Sequence, residues 1–193
     1  MGKEKYTLSS LLIEKDAKLL TLMIEEVKQE AAKLGYTCIS PEHLLYAIVR
    51  RNHTYSAHKM LLSQTSAACI DDIATKLRRE LGFDQEASVA KITPQEVEML
   101  PAAKNIMILA EVEALEQKKS ERNTIHILLA MAHYSQSTTA GEYLHEMGIN
   151  YEKLKEELAK NSNLFGGDDD DDEDDPFNRE SKSSNSSEIH NAA

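Results

Sequence analysis

An all-α fold is predicted by three observations. A segment of the chain occurs twice: Glu30-Ala31, His43, Leu45, Ala47, Ala57 and Leu61 recur in order as Glu113-Ala114, His126, Leu128, Ala130, Ala140 and Leu144. The offset is 83 residues throughout, which gives seven identities across the 46 positions 17–62. Apolar positions match in kind as well: Ile24 with Met107, Leu44 with Ile127, Ile48 with Met131. Shared apolar spacing is what a shared core requires, so two copies of one helical unit explain it. Composition agrees: Leu, Ala, Glu and Lys dominate, with only seven Gly and four Pro in 193 residues. Finally, apolar residues recur at helical spacing and no stretch alternates in the manner of a half-buried strand, so no sheet is expected.

The elements follow in order. Leu20, Met23, Ile24, Val27, Ala31 and Leu34 share one face of a long helix over about 16–34. Gly35 ends it. Ser40 caps a second helix with Pro41 at its first position and Leu44, Leu45, Ile48 and Val49 as its stripe. A short third helix carries Ala57, Met60 and Leu61. A fourth, over about 67–81, buries Ile70, Ile73, Ala74 and Leu77 and stops at Gly82. Residues 83–91 read as a polar connector. Thr93-Pro94-Gln95-Glu96 is a capping box that starts a short helical piece. Pro101 opens the second long helix, to about 118, with Ala103, Ile106, Met107, Ala110 and Ala114 inward. Asn123 caps the next helix, with Leu128, Leu129 and Ala132 on its apolar face. Residues 140–147 form a short helix ended by Gly148. Asn150 caps the last, whose stripe is Tyr151, Leu154 and Leu158. The domain spans 1–162, with one repeat over about 16–82 and the other over about 100–160. Residues 163–193 form a separate acidic, Ser-rich stretch.

Charge is concentrated in that stretch. Residues 168–175 are eight consecutive acids, and without them the net charge of −11 becomes −3. A block of like charge with few apolar residues cannot offset its conformational entropy, so 163–193 reads as a disordered, solvated linker or tail. The missing basic footprint argues against nucleic-acid binding. No apolar run is long enough to span a bilayer and the N-terminus has no secretory pattern, so the expected location is cytoplasmic. Cys38 and Cys69 form no CxxC and are expected to be small buried hydrophobes in a reducing compartment.

The repeat motifs carry a family resemblance. Ser40-Pro41-Glu42-His43-Leu44-Leu45, preceded by Glu30-Ala31-Ala32-Lys33-Leu34-Gly35, resembles the N-terminal repeat domain of the Clp ATPases. That family carries EA-x-x-LG, a short loop, and G-T-E-H-I-L-L at a helix start. The second copy is similar from residue 100 through His126-Ile127-Leu128-Leu129, and Gly148-Ile149 matches a family turn. The resemblance covers about 16–159. It implies two pseudo-symmetric four-helix repeats, followed in the family by a flexible linker and ATPase modules. It also implies a role in docking protein substrates and adaptors for unfolding and degradation. Some members bind phosphorylated arginine with an acid before the motif His and a Thr at the start of the long helix. Here Glu42 keeps the acid, but Ala17 stands at the Thr position; the second copy has Ile125 and Leu100. One site is half kept and the other lost, which argues against reading phosphoarginine.

The residues themselves suggest binding rather than catalysis. No G-x-x-x-x-G-K-[ST] phosphate loop occurs. The chain is therefore expected to be no enzyme itself and to hold no cofactor and no metal. It reads either as part of a larger unfoldase, with ATPase modules in the same polypeptide, or as a stand-alone adaptor or regulator without a motor. His43 and His126 sit near the third position of their helices, where a side chain can bond back to the capping residue. His53 and His58 are five apart and share no helix face, so no metal set forms. Glu42 has two readings: a carboxylate favoured by the helix dipole, or one facing a cationic partner group. The loops before the second and sixth helices differ, one with Tyr36, Cys38 and Ile39, the other with Lys118, Lys119, Glu121 and Arg122. Binding residues concentrate on loops, so protein partners are expected at the first copy, around Tyr36, Glu42 and Tyr46.

The purified chain is expected to show no saturable micromolar nucleotide binding by calorimetry and no ATP turnover, for want of a loop to cradle phosphates. A micromolar ATP isotherm would contradict this.

Overall fold

The computed structural model describes residues 8–50, 55–87, 91–134 and 138–160, with side chains from Ala17 onward. Residues 163–193 and His53, both discussed above, lie outside the described residues. Eight helices occupy most of the described chain: α1 (Leu8–Lys33), α2 (Pro41–Val49), α3 (Ser56–Gln64), α4 (Ala67–Glu80), α5 (Pro101–Glu116), α6 (Thr124–His133), α7 (Thr139–Glu146) and α8 (Tyr151–Lys160). α1 begins eight residues earlier than the spacing predicts. The capping box at Thr93 does start a turn, the single 3₁₀ turn Pro94–Glu96.

The core is organised around α2 and α6. α2 packs against α1, α4, α5 and α7, and α6 against α1, α3, α5, α7 and α8. Neither shows the one-sided stripe read from sequence. Pro41 and every residue from His43 to Val49 are buried, and so is every residue of α6 from Thr124 to Ala132. A short helix that is apolar on nearly all sides is a central helix. Of the fourteen residues in the seven repeated identities, thirteen are buried. The exception, Glu30, is half-buried and pairs with Arg50. The matched positions are therefore core positions.

A small sheet does form, contrary to expectation. β1 (Cys38–Ile39) pairs in parallel with β2 (Glu98–Met99), aligning Cys38 with Glu98 and Ile39 with Met99. The Glu98 amide donates to the Thr37 carbonyl and the Leu100 amide to the Ile39 carbonyl, each at 2.9 Å. Two-residue strands are too short to alternate, so periodicity cannot reveal them. Cys38 and Cys69 are free thiols and half-buried, not the fully buried hydrophobes expected. Cys38 sits on the two-stranded edge, and Cys69 lies in the first turn of α4 with its amide donated to Ser66 Oγ at 3.2 Å.

Four helix ends share one hydrogen-bond pattern. After α1, the amide of Gly35 reaches the carbonyl of Ala32 and that of Tyr36 the carbonyl of Ala31, both at 3.0 Å. Equivalent pairs close α4 at Gly82-Phe83, α5 at Lys118-Lys119 and α7 at Gly148-Ile149. This is the Schellman arrangement, which needs one left-handed residue. Glycine takes that position three times, with φ of 84°, 77° and 73°; Lys118 takes it at φ 55°. Lys118 stands 83 positions after Gly35, so the second copy keeps the turn while placing a side chain where one is strained.

Lys118→Gly is therefore expected to stabilise the fold by on the order of 1 kcal/mol, raising Tm by roughly 2–4 °C. Thermal unfolding followed by circular dichroism measures this, and an unchanged or lower Tm would contradict it.

Candidate functional site

The motif histidines explain how the two central helices begin. The four leading amides of a helix have no partner within it, and around α2 and α6 little water is available to supply one. The Ser40 amide donates to His43 Nδ1 at 3.0 Å, and Ser40 Oγ lies 2.8 Å from the same nitrogen. The Asn123 amide donates to His126 Nδ1 at 2.9 Å, while Asn123 Oδ1 accepts from the amides of Ile125 and His126 at 3.0 and 3.2 Å. Because Nδ1 accepts, each neutral ring carries its proton on Nε2. His126 Nε2 donates it to Gln117 Oε1 at 3.0 Å. His43 Nε2 is buried without a hydrogen-bond partner. Burial disfavours the imidazolium, so both pKa values fall to about 4; Glu42 works against the shift at His43 and Lys119 adds to it at His126. The two histidines are structural caps.

The residues expected at the first copy come together around His43. Tyr36 meets its ring edge-on at 5.0 Å, and Phe83 does so at 6.0 Å from another side. Phe83 also stacks on Tyr46 at 5.0 Å and 20°. The Tyr36 hydroxyl donates to the Leu81 carbonyl at 2.9 Å, tying α1's end to that of α4. Tyr46 is only 7% exposed and lies under the Arg50 guanidinium at 5.5 Å, so it offers a partner almost no surface. Glu42 is half-buried rather than exposed. Phe83, read above as part of a polar connector, closes the aromatic group instead. Its signal lay in the doublets Gly35-Tyr36 and Gly82-Phe83, since the residue after a left-handed C-cap glycine usually packs back on its helix.

An acidic face adjoins this group. The Tyr143 hydroxyl donates to the Glu80 carboxylate and bridges α7 to α4. Its pKa is pushed up, first by burial and then by Glu80, with Glu146 and Glu42 adding to the effect. Glu42, Glu80 and Glu146 thus gather within electrostatic range of one phenol. Lys76 stands 3.9 Å from Glu146. Carboxylates grouped in this way favour a cationic group from outside. Among the described residues, no group of three or more His, Cys, Asp or Glu side chains could hold a metal ion.

Two charged clusters hold the outer helices. Arg50, 7% exposed, places Nη1 2.6 Å from both carboxylate oxygens of Glu30 and Nη2 3.5 Å from Glu26, joining α2's end to α1. At the corresponding place in the second copy, buried Glu113 accepts from the Tyr151 hydroxyl and lies 3.7 Å from Lys155. The repeated Glu is kept while its partner changes.

No family model matches the chain. Two curated proteins resemble it, and both are Clp proteins. It is 25% identical to the chaperone protein ClpB of Oceanobacillus iheyensis over 131 residues, covering 68% of this chain and 15% of that protein. It is 26% identical to the negative regulator of genetic competence ClpC/MecB of Bacillus subtilis over 145 residues, 75% of this chain and 16% of that one. The chain thus matches about a sixth of the length of these relatives, and the likeness supports a relationship to the Clp family. A solved structure from preliminary structural investigations of a malarial protein secretion system superposes with a TM-score of 0.51 at 19% identity, covering 81% of this chain and 94% of that one. That likeness concerns the fold alone.

Both capping histidines have folded pKa values near 4 against 6.5 unfolded. Their contribution is complete above pH 6.5 and is lost as pH falls from 6.5 towards 4, because the unfolded chain takes up the protons first. Urea unfolding midpoints should therefore decline over this window. His126→Gln, which keeps an acceptor at the same helix position, should flatten the decline. A midpoint constant from pH 7 to 5 would show that the caps do not titrate this way.

Proposed function

We propose that this chain is the substrate- and adaptor-binding N-terminal domain of a Clp-type unfoldase, non-catalytic itself, serving protein quality control and degradation. The observation that carries this reading is the match to two Clp proteins over most of this chain but only 15% and 16% of theirs. The repeated E-A…H-x-L motifs, buried in both copies apart from half-buried Glu30, support assigning that portion to the repeat domain. Protein partners dock around the first copy, where Glu42 and Glu80, joined by Glu146 from α7 of the second copy, present a carboxylate face to a cationic side chain. Tyr36 and Tyr46 shape that face from beneath, through Phe83 and His43.

The test is affinity capture from cell lysate on the immobilised full chain, with bound proteins identified by mass spectrometry. Components of a Clp system or misfolded proteins should be retained by the natural chain and lost severalfold on Glu42→Lys, with circular dichroism unchanged. In contrast, Ile125→Ala, which truncates a fully buried side chain, should cost about 2–4 kcal/mol of stability and affect binding only through that loss. Equal capture by a folded Glu42→Lys chain would remove Glu42 from the site, and no enrichment over bare resin would overturn the reading.

A further inference from the structure

Among the described residues, the second copy has no equivalent of the aromatic closure that covers the first. Between α1 and the end of α5 lies a cleft of about 470 Å³. Its lining pairs apolar with basic chemistry: Leu20 and Leu115 beside Lys18, Lys119 and Arg122. Leu115 is 65% exposed, and Ile108 and Val112, two turns and one turn earlier on the same face of α5, are 59% and 45% exposed. Leu22, one turn from Lys18 on α1, is 50% exposed. Three large apolar side chains at i, i+4 and i+7 on an otherwise polar surface mark a contact face. The Schellman turn at Lys118-Lys119 sets the basic loop at its end, and Arg122 is braced there by donating to the Met107 carbonyl at 2.9 Å. Glu111 and Glu121 also line the cleft. Together with exposed Lys118, the local balance remains positive, on a chain whose net charge is −11.

One segment of this chain has the matching pattern. Leu164-Phe165 is an apolar pair, followed after two glycines by the eight acids 168–175. The helix that precedes it in the chain packs near the cleft. Lys155 of α8 lies 3.3 Å from Glu116, the residue after Leu115. From Lys155 to the end of α8 at Lys160 is a rise of about 7.5 Å, and the eight residues from Lys160 to Asp168 can span up to about 27 Å. The tether is therefore long enough for the segment to reach the cleft from either direction of α8.

We propose that residues 164–175 dock intramolecularly on the α1–α5 cleft, with Leu164 and Phe165 against Leu115 and the acids on Lys118, Lys119 and Arg122. The tether supplies a high effective concentration, so a weak contact suffices, and salt releases it, because its charged half is exposed. The segment then shields the largest exposed apolar face of α5, and a partner with the same apolar-then-acidic pattern competes for it. This does not depend on the function proposed above, since the cleft shares no residue with the face around Glu42, Glu80 and Glu146.

The test is zero-length carbodiimide cross-linking of the full chain, using a mixture of unlabelled and ¹⁵N-labelled protein, with cross-linked peptides identified by mass spectrometry. Expected are links from Lys118 or Lys119 to residues 168–175 within one isotopic form, reduced at least fivefold in 0.5 M salt. Phe165→Ala should also weaken them. The K118E/K119E variant, folded by circular dichroism, should lose the acidic segment's preference for this surface. Links spread evenly over surface lysines, links only between light and heavy chains, or no links to this loop would each overturn the proposal.

Discussion

The fold depends on a neutral imidazole accepting a backbone amide at the start of each central helix. α2 and α6 are surrounded by other helices, so their leading amides cannot rely on solvent. Ser40 and Asn123 alone leave the capping residue's own amide without a partner, and His43 and His126 provide it. A Glu at the same position would also reach back, but as a buried charge it would incur a large desolvation cost. Imidazole at neutral pH does the same work uncharged. The surrounding groups follow from that choice: Gln117 accepts the Nε2 proton of His126, and Tyr36 and Phe83 wall in the ring of His43.

Much of this was legible in the sequence because it is local. Pro41, Asn123 and Gly82 each mark a helix end through their own backbone chemistry, and helix boundaries fall beside them. The reciprocal role of the histidines could be read from their third position in each helix. What escaped was non-local. The β1–β2 pair joins Ile39 to Met99 with too few residues to leave a pattern. Phe83 sits in a polar stretch and becomes part of the site only because α4 ends beside α2. Tyr46 read as a surface residue because a helix is usually amphipathic; α2 is not, and the ring is buried. Glu42 was identified, but its neighbours Glu80 and Glu146 come from α4 and α7, brought near by packing that no spacing encodes.

The two matched segments differ in what surrounds their shared positions. Buried identities persist, while the contacts around them change. Glu30 meets Arg50, whereas Glu113 meets Tyr151 and Lys155. Gly35 becomes Lys118 and Tyr36 becomes Lys119, so an aromatic lid in one copy is a basic rim in the other. The first copy is closed over its capping histidine, while the second is open beside α1. Retaining the core and altering what surrounds it yields two unlike surfaces.

The parallel strand pair has a consequence for the order of folding. Its partners lie sixty positions apart in the chain, and parallel strands cannot be joined by a tight turn. Closing so long a loop is unfavourable until the helices between are packed, so α2, α3 and α4 assemble before the two strands meet. The pair contributes few hydrogen bonds to hold that closure. Native-state hydrogen exchange is therefore expected to find the exposed Glu98 and Leu100 amides among the least protected of the hydrogen-bonded ones. A parting confined to that pair would leave both central helices capped and the two segments still packed together, because α2 also meets α5 and α7 while α6 also meets α1 and α3.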